Sequence, residues 1–271
     1  MKKQITLLFS CLGLALVLAG QSLHAQQNDA DGKKLNAELR AKAEKGDAEA
    51  QDTLGQRLLF GIGGTKDEGE GMKWLRKASE QNYAHAQFIL GICYLTGRGV
   101  AKDEAEAAKW WRKAAKQNLP YAQDALGSCY RDGKGVATNY VEAVKWYRNA
   151  ADQNFPSAQY SLGACYIEGQ GVAQDMVEGV KWLRKAAQQN DDKAQFALAI
   201  RYANGQGVPK DDVEAYKWVV LAAAQNNEHA KQNKPNLESL LSPEQIAEGK
   251  QRANDWLEQR KNVSAGKSSN S

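Results

Sequence analysis

A 36-residue period is the feature that most restricts the fold of this chain. The segment LGICYLTGRG, which starts at Leu90, returns as LGSCYRDGKG at Leu126 and as LGACYIEGQG at Leu162. Tryptophan keeps the same step, at Trp74, Trp110, Trp146, Trp182 and Trp218. A fixed step without insertions indicates one structural unit that stacks on copies of itself. The period predicts five repeats, at residues 47–82, 83–118, 119–154, 155–190 and 191–226.

Each repeat carries the pattern of two helices. In the first helix, Ala86, Leu90, Cys93 and Tyr94 share one face, and glycines then end the segment. The second helix starts at a capping box, an Asp or Asn followed three residues later by Glu. The box occurs in all five repeats, at Asp67, Asp103, Asn139, Asp175 and Asp211. Helical hairpins stacked at a fixed step predict an all-α fold, an α-solenoid of the α/α superhelix type.

The N-terminal segment has the pattern of a signal peptide. Lys2 and Lys3 precede an apolar run, and small residues up to Ala25 form a cleavage site, so we expect residues 1–25 to be removed. Gln21 stands where a lipoprotein would need a cysteine. We therefore expect a periplasmic or secreted protein without stable membrane insertion.

The remaining segments flank the repeats. Residues 26–46 are predicted to contain an N-terminal half-repeat helix. Residues 227–262 form a C-terminal capping helix region, with Ser242 as the N-cap of its helix, and residues 263–271 a disordered tail. A polar cap limits end-to-end stacking, so we expect a monomer.

Charge and cysteine usage exclude several classes of protein. The formal charge is +4, and removal of residues 1–25 with their two lysines lowers it to +2, which predicts no nucleic-acid binding. Cys93, Cys129 and Cys165 occupy one repeat column, so successive sulfur atoms should lie about 10 Å apart. A disulfide needs Cα atoms within about 7 Å. These cysteines therefore predict buried free thiols, and the sequence predicts no metal site and no cofactor.

No motif of the sequence predicts an enzyme. The glycines at Gly97 and Gly99 follow a helix and lack the residues of a phosphate loop, so they predict a turn. After residue 25 the only histidines are His85 and His229, outside any recurring acid–base arrangement. The Ser-x-x-Lys spacing at Ser264 lies in the polar tail, without the other β-lactamase motifs. The tryptophan column, among alanines, predicts core packing between hairpins.

The repeat pattern resembles that of a known family. Its columns read A-x-A-Q-x-x-L-G-x-x-Y-x-x-G-x-G-V, then D-x-x-E-A-x-K-W-x-x-K-A-A-x-Q-N, and resemble the Sel1-like repeat of the tetratricopeptide-like superfamily. Repeat one departs from it at Arg57, and repeat five at Ala199. The resemblance implies an adaptor that holds proteins together or binds a peptide. Cysteine-rich relatives, some associated with penicillin binding and β-lactamase activity, carry a stapling cysteine pair that is absent here.

The columns that vary between repeats predict the binding surface. In superhelical repeats the first helices line the concave face. The candidate partner-binding residues on those helices are Phe88, Ile92, Leu95, Asp124, Ser128, Arg131, Tyr160, Ile167, Phe196 and Ile200. The pattern equally allows these side chains to fill the contact between adjacent first helices, because helical periodicity shows only which side faces the hairpin core.

The leading hypothesis is an exported, non-enzymatic adaptor that binds a protein or peptide on the concave face, in an envelope complex or in contact with a host. The family resemblance leaves open a cell-wall-directed protein that binds or hydrolyses β-lactams or peptidoglycan fragments. A structural subunit that self-associates through an array end is a third hypothesis, which the polar C-terminal cap disfavours.

Overall fold

The structure, a computed structural model, describes residues 29–268, with side chains over residues 32–262. The described part contains thirteen helices and no strand. In chain order they are α1 (Asp29–Glu44), α2 (Ala48–Phe60), α3 (Glu68–Glu80), α4 (Ala84–Thr96), α5 (Glu104–Lys116), α6 (Pro120–Asp132), α7 (Tyr140–Asp152), α8 (Pro156–Glu168), α9 (Met176–Gln188), α10 (Asp192–Asn204), α11 (Asp212–Ala224), α12 (Glu228–Glu238) and α13 (Pro243–Ser268). Helices α2 to α11 form the five predicted hairpins, which confirms the all-α solenoid. The signal peptide predicted for residues 1–25 lies outside the described residues.

The start of each second helix is fixed by its N-cap. The side chains of Asp67 and Asp103 accept hydrogen bonds from the backbone N–H three residues later, at 2.8 and 2.9 Å, and the other three N-caps do the same. In a capping box the glutamate side chain is expected to accept a hydrogen bond from the N–H of the N-cap residue, but here that N–H bonds to another helix. The N–H of Asp103 donates to the carbonyl of Tyr94 in the preceding helix, at 2.9 Å. The side chain of Glu106 pairs instead with Lys109. The N-cap residue therefore caps the second helix with its side chain and ties it to the first helix with its own backbone N–H.

The helices divide into two compact units, one up to Ala150 and one from Ala151. Leu75, Leu90, Trp111 and Leu126 are fully buried in the core of the N-terminal unit. In the C-terminal unit the core contains the side chains of Leu183, Leu198, Trp218 and Leu221.

The tryptophan column is only partly core, contrary to its uniform pattern. Trp74, Trp182 and Trp218 are buried, whereas Trp110 and Trp146 are half-buried. The next position along each second helix is buried in all five repeats, as Leu75, Trp111, Tyr147, Leu183 and Val219. This second column, whose residue type varies, forms the centre of each hairpin.

A glycine of the first helix lets the two helices of a hairpin approach closely. A Cβ atom at Gly91 would lie 2.3 Å from Nε1 of Trp111, and at Gly127 it would lie 2.8 Å from the ring of Tyr147. The large ring therefore occupies the space that a side chain on the first helix would need. Repeat five has Ala199 at the glycine position and Val219 at the ring position. A larger residue on the first helix is thus matched by a smaller one on the second.

Repeat one departs from the consensus where α1 docks. Arg57, which stands in the cysteine column, donates from Nε to Oδ1 of Asn36 and from a terminal nitrogen to the carbonyl of Gly32, the latter at 3.4 Å. Asn36 Nδ2 in turn donates to the carbonyls of Ile62 and Gly63, at 3.1 and 3.0 Å. Burial lowers the pKa of Arg57. The atypical residues thus hold the predicted N-terminal helix against the first repeat.

The C-terminal cap contains one helix more than the sequence indicated. Helix α12 begins at Asn227, whose side chain caps the N–H of Ala230 at 2.9 Å, and α13 begins after Ser242. Both helices pack on α11. Helix α13 also extends to Ser268, because elongation of a formed helix adds one hydrogen bond per ordered residue. The structure thus shows helix over residues 263–268, where the sequence predicted disorder, and residues 269–271 lie outside the described range.

Within residues 29–268, no helix combines the length and apolar character needed to cross a membrane.

Candidate functional site

The glycine loops are structural in the described repeats. Gly97 and Gly99 have φ values of 72° and 66°, in the left-handed region that favours glycine. The N–H of Gly99 donates to the side chain of Glu68 at 3.0 Å, and a Cβ atom there would press on the backbone of the preceding second helix. The Gly-x-Gly segment is therefore a turn that also joins neighbouring repeats.

The three described cysteines are buried thiols outside any disulfide, as predicted. Burial raises the pKa of Cys93 to about 12, so this thiol stays protonated at neutral pH. Among the described residues no group of three or more His, Cys, Asp or Glu side chains could hold a metal ion.

Three of the tryptophan rings have one face covered by a lysine side chain. The ammonium groups of Lys77, Lys113 and Lys185 lie 4.2, 3.9 and 3.8 Å from the ring centroids of the tryptophans three residues earlier. Each lysine covers one face of its ring, a cation–π contact within the second helix. A ligand that stacks on the covered face of such a ring would first have to displace the lysine.

Successive first helices meet through side-chain pairs separated by 33 positions. In the N-terminal unit, Nδ1 of His85 lies 2.7 Å from Oδ2 of Asp52, and the ring centroids of Phe88 and Tyr121 are 6.0 Å apart. In the C-terminal unit, the rings of Phe196 on α10 and His229 on α12, the helix that follows the last repeat, stack at 6.0 Å, with 17° between their planes. We call these three pairs the first-helix seams. They form the contact between adjacent repeats that the sequence left as the alternative to a binding face.

Three of the candidate binding residues are buried and therefore belong to packing. Phe88 is 2% exposed and lies in the N-terminal core, which favours the packing alternative that the sequence left open for it. Asp124 and Ile167 are also buried. In the Phe88 seam the accessible member is Tyr121, which is 37% exposed. Helical periodicity does not distinguish the two roles, because the neighbouring repeat covers a face that the hairpin itself leaves open.

The other candidates of the N-terminal unit are half-buried at the surface. Ile92 and Leu95 pack their inner sides against the core. The hydroxyl of Ser128 lies 3.1 Å from that of Tyr147. Arg131 pairs with Asp132 at 2.8 Å. Burial would lower the pKa of Arg131, but the Asp132 hydrogen bond and the neighbouring charges outweigh it and raise that pKa.

In the C-terminal unit, Tyr160 and Phe196 are half-buried against the core, and Ile200 is half-buried as well. Their role in binding stays a prediction. Stacked on Phe196, the exposed His229 holds the position in its seam that Tyr121 holds in its own.

The more accessible member of each seam carried no signal in the sequence. These members are His85, Tyr121 and His229, and they share one column of the repeat. Comparison of the repeats at their length of 36 residues aligns equivalent positions, but the residues that contact each other across a seam are not equivalent positions. A search for complementary residues 33 positions apart, which is about one helical turn less than the repeat length, would have found them. We define the first-helix surface of the N-terminal unit as Gln56, His85, Ile92, Leu95, Tyr121 and Ser128.

The Asp52–His85 seam is the most polar point of this surface. Asp52 is 3% exposed, and its Oδ2 also accepts from Nε2 of Gln56 at 2.8 Å. Its other oxygen, Oδ1, is buried and has no hydrogen-bond partner among the described residues. Burial would lower the pKa of His85, but the hydrogen bond and charge of Asp52 outweigh it and raise that pKa. The pair is therefore a partly exposed imidazole held by a buried carboxylate.

Comparison with known proteins places the repeats in a family. The Sel1 repeat family matches residues 48–83, 84–119, 120–155, 156–191 and 192–227, one residue later than the predicted boundaries. A protective antigen of uropathogenic Escherichia coli with an SLR fold is 36% identical over 83% of this chain, with a TM-score of 0.73. A Sel1 repeat protein from Oxalobacter formigenes is 34% identical over 73% of this chain, with a TM-score of 0.66. The alignments cover 52% and 58% of those proteins, so this chain matches little more than half of each. No curated protein matched the chain.

Proposed function

Because this chain belongs to the Sel1 repeat family, whose solenoids typically mediate protein–protein interaction, we propose that it is an exported, non-enzymatic adaptor that binds a protein or peptide. The first-helix surface of the N-terminal unit is the proposed contact. The observation that carries the proposal is the exposure of Tyr121, an aromatic side chain whose ring rests on the buried Phe88. Aromatic side chains held in place before binding lose little conformational entropy when a partner covers them.

The rest of the surface supports this role. Ile92 and Leu95 add half-buried apolar groups on α4, beside the polar Asp52–His85 pair. An apolar patch with one polar point suits a peptide that inserts side chains between the helices. Helix α2 is capped at both ends, by Asp47 and Gly61, and α4 and α6 each end at a glycine in the left-handed region, so regular helices carry all these residues.

The test is partner capture with a matched pair of variants. Purified protein is compared with a Tyr121→Asp/Ile92→Asp variant in pull-down mass spectrometry. A Val141→Asp variant is the control. Val141 is an aliphatic residue like Ile92 and is 52% exposed, but it lies on a second helix. We expect the control to retain the partner and the double variant to lose it, with unchanged helical circular dichroism in both. Retention by a folded double variant would reject the surface, and absence of any captured partner would reject the adaptor role.

Export is proposed from the signal pattern of residues 1–25, and the description of the 36% identical relative as a protective antigen favours it. In cells that express the full sequence, the mature protein should be recovered from the periplasm or the medium with Gln26 as its first residue. Recovery from the cytoplasm with the N-terminal segment intact would contradict export.

A further inference from the structure

The Asp52–His85 seam differs in chemistry from the other two first-helix seams. Phe88–Tyr121 and Phe196–His229 pair two rings, and their contact buries apolar surface. At the equivalent contact between α2 and α4, a carboxylate replaces the inner ring. Packing of adjacent repeats does not require a carboxylate here, because the same position is Phe88, Tyr160 or Phe196 in three other repeats, and Asp124 is the only other aspartate in the column.

The carboxylate carries a desolvation cost that the fold only partly offsets. Asp52 is 3% exposed, and only its Oδ2 accepts hydrogen bonds from described residues, from His85 and Gln56. Its Oδ1 is buried and lacks a hydrogen-bond partner in the described structure. A buried charge is often less stabilising than an apolar side chain of similar volume, so the presence of Asp52 here favours a role in recognition.

Three carboxylates act on Tyr83, two residues before His85. Burial raises the pKa of Tyr83, and the charges that raise it further are those of Asp52, Glu49 and Asp47, all carboxylates. Glu49 is exposed on α2, and Tyr83 is half-buried directly before α4. A cation that approaches the start of α4 therefore meets carboxylates, of which Asp52 acts on His85 itself.

We infer that the Asp52–His85 pair recognises a lysine or arginine side chain of the partner, so that the first-helix surface selects a basic peptide. The inference rests on the proposed function and names the chemistry of its ligand. With Nδ1 of His85 bonded to Asp52, the second ring nitrogen, Nε2, is the acceptor left for a ligand N–H when the imidazole is neutral. Ile92 and Tyr121 then contact the apolar side chains that flank the basic residue.

This recognition depends on the protonation of His85. A protonated imidazole has no acceptor nitrogen and repels a cation. Asp52 of α2 is the charged group that acts on His85. The helices α3 and α5, also packed against α4, contribute no charge to its titration. Affinity for a basic peptide should therefore rise as the pH rises through the pKa of His85.

The test uses isothermal titration calorimetry with three blocked peptides of the pattern Gly-Leu-X-Leu-X-Leu-Gly, in which X is Lys, Gln or Glu. We expect the Lys peptide to bind about tenfold more tightly than the Gln peptide at about pH 8, as one charge-assisted hydrogen bond allows. The Glu peptide should bind more weakly than both. At about pH 5.5 the preference for Lys should fall by about tenfold.

An Asp52→Phe/His85→Tyr variant places the Phe88–Tyr121 pair of residue types in this seam. It is the control, because the same pair already packs between the next two first helices. It should keep its affinity for the Gln peptide and lose the preference for Lys. Equal binding of the Lys and Glu peptides, or a preference for Lys that survives the transplant, would overturn the inference. If the pull-down captures a partner through this surface while none of the peptides binds, the inference fails and the adaptor role stands.

Discussion

Substitution of Gly91 by alanine tests how the repeats exchange volume between their two helices. A Cβ atom at Gly91 would lie 2.3 Å from Nε1 and 2.4 Å from Cδ1 of Trp111. Trp111 is fully buried, and its Nε1 donates to the carbonyl of Phe88 at 3.1 Å. The indole therefore cannot move aside without losing this hydrogen bond or displacing its neighbours.

The expected loss of stability follows from three contributions. Overpacking of a dense core costs about 1–3 kcal/mol. Loss of the indole hydrogen bond adds about 1 kcal/mol. Replacement of glycine inside a helix by alanine returns about 1 kcal/mol. We expect Gly91→Ala to lower the free energy of unfolding by about 2 kcal/mol, although alanine is the better helix former.

Repeat five supplies the compensating change. Ala199 and Val219 hold the positions equivalent to Gly91 and Trp111, and both are buried in the C-terminal core. Trp111→Val alone should cost about 3 kcal/mol, because it leaves a cavity. The Gly91→Ala/Trp111→Val double variant should be no less stable than Trp111→Val alone, which corresponds to a favourable coupling of about 2 kcal/mol.

The assay is urea denaturation followed by circular dichroism, with Gly69→Ala as the matched control. A Cβ atom at Gly69 would meet nothing closer than 3.5 Å, and the equivalent residue of the next repeat is Ala105. The control should gain about 0.5 kcal/mol. The reasoning is refuted if Gly91→Ala matches the control in stability, or if the double variant shows no coupling.

Three further outcomes are expected. Arg57→Ala removes the hydrogen bonds to Asn36 and the N-terminal helix, so hydrogen exchange over residues 29–44 should accelerate while the distant α10 stays protected. The raised pKa of His85 makes the Asp52 bond stabilising below about pH 6.5, and this contribution is lost as the pH rises through the folded-state pKa. Relative to His85→Gln, native protein should therefore be more stable at about pH 5.5 than at about pH 8.5, and a constant difference in urea midpoint would contradict this. Cys93, buried and with its pKa raised to about 12, should react with a thiol reagent only after unfolding, and fast reaction of the folded protein would contradict its burial.

Local interactions explain why most helix boundaries were predictable from the sequence. The Asp or Asn at each N-cap and the glycine after each first helix act over a few residues, and the structure shows both in use. Helix α12 was missed because its segment has little apolar periodicity and contains Pro235. It packs on α11 in the position of a sixth first helix, so tertiary contact outweighed weak local preference.

The candidate surface was harder to predict, because it depends on contacts between repeats. Periodicity placed Phe88 away from the core of its own hairpin, and the ring of Tyr121 from the next repeat covers it. The same contact leaves Tyr121 exposed. No pattern within one repeat distinguishes Tyr121 from the residues at the same position in the other repeats. Asp52 and His85 gave no separate signal in the sequence, because neither belongs to a known motif.

The sequence by itself determined the repeat length, the hairpin unit, the caps that begin and end its helices, and the family. Each of these depends on backbone hydrogen bonds and apolar spacing within about forty residues, which the order of amino acids encodes directly. Only the tertiary structure decided which side chains lie between repeats and which remain exposed. That outcome depends on how far each first helix is offset from the next, and the offset is set by packing of the glycine, ring and seam positions across helices.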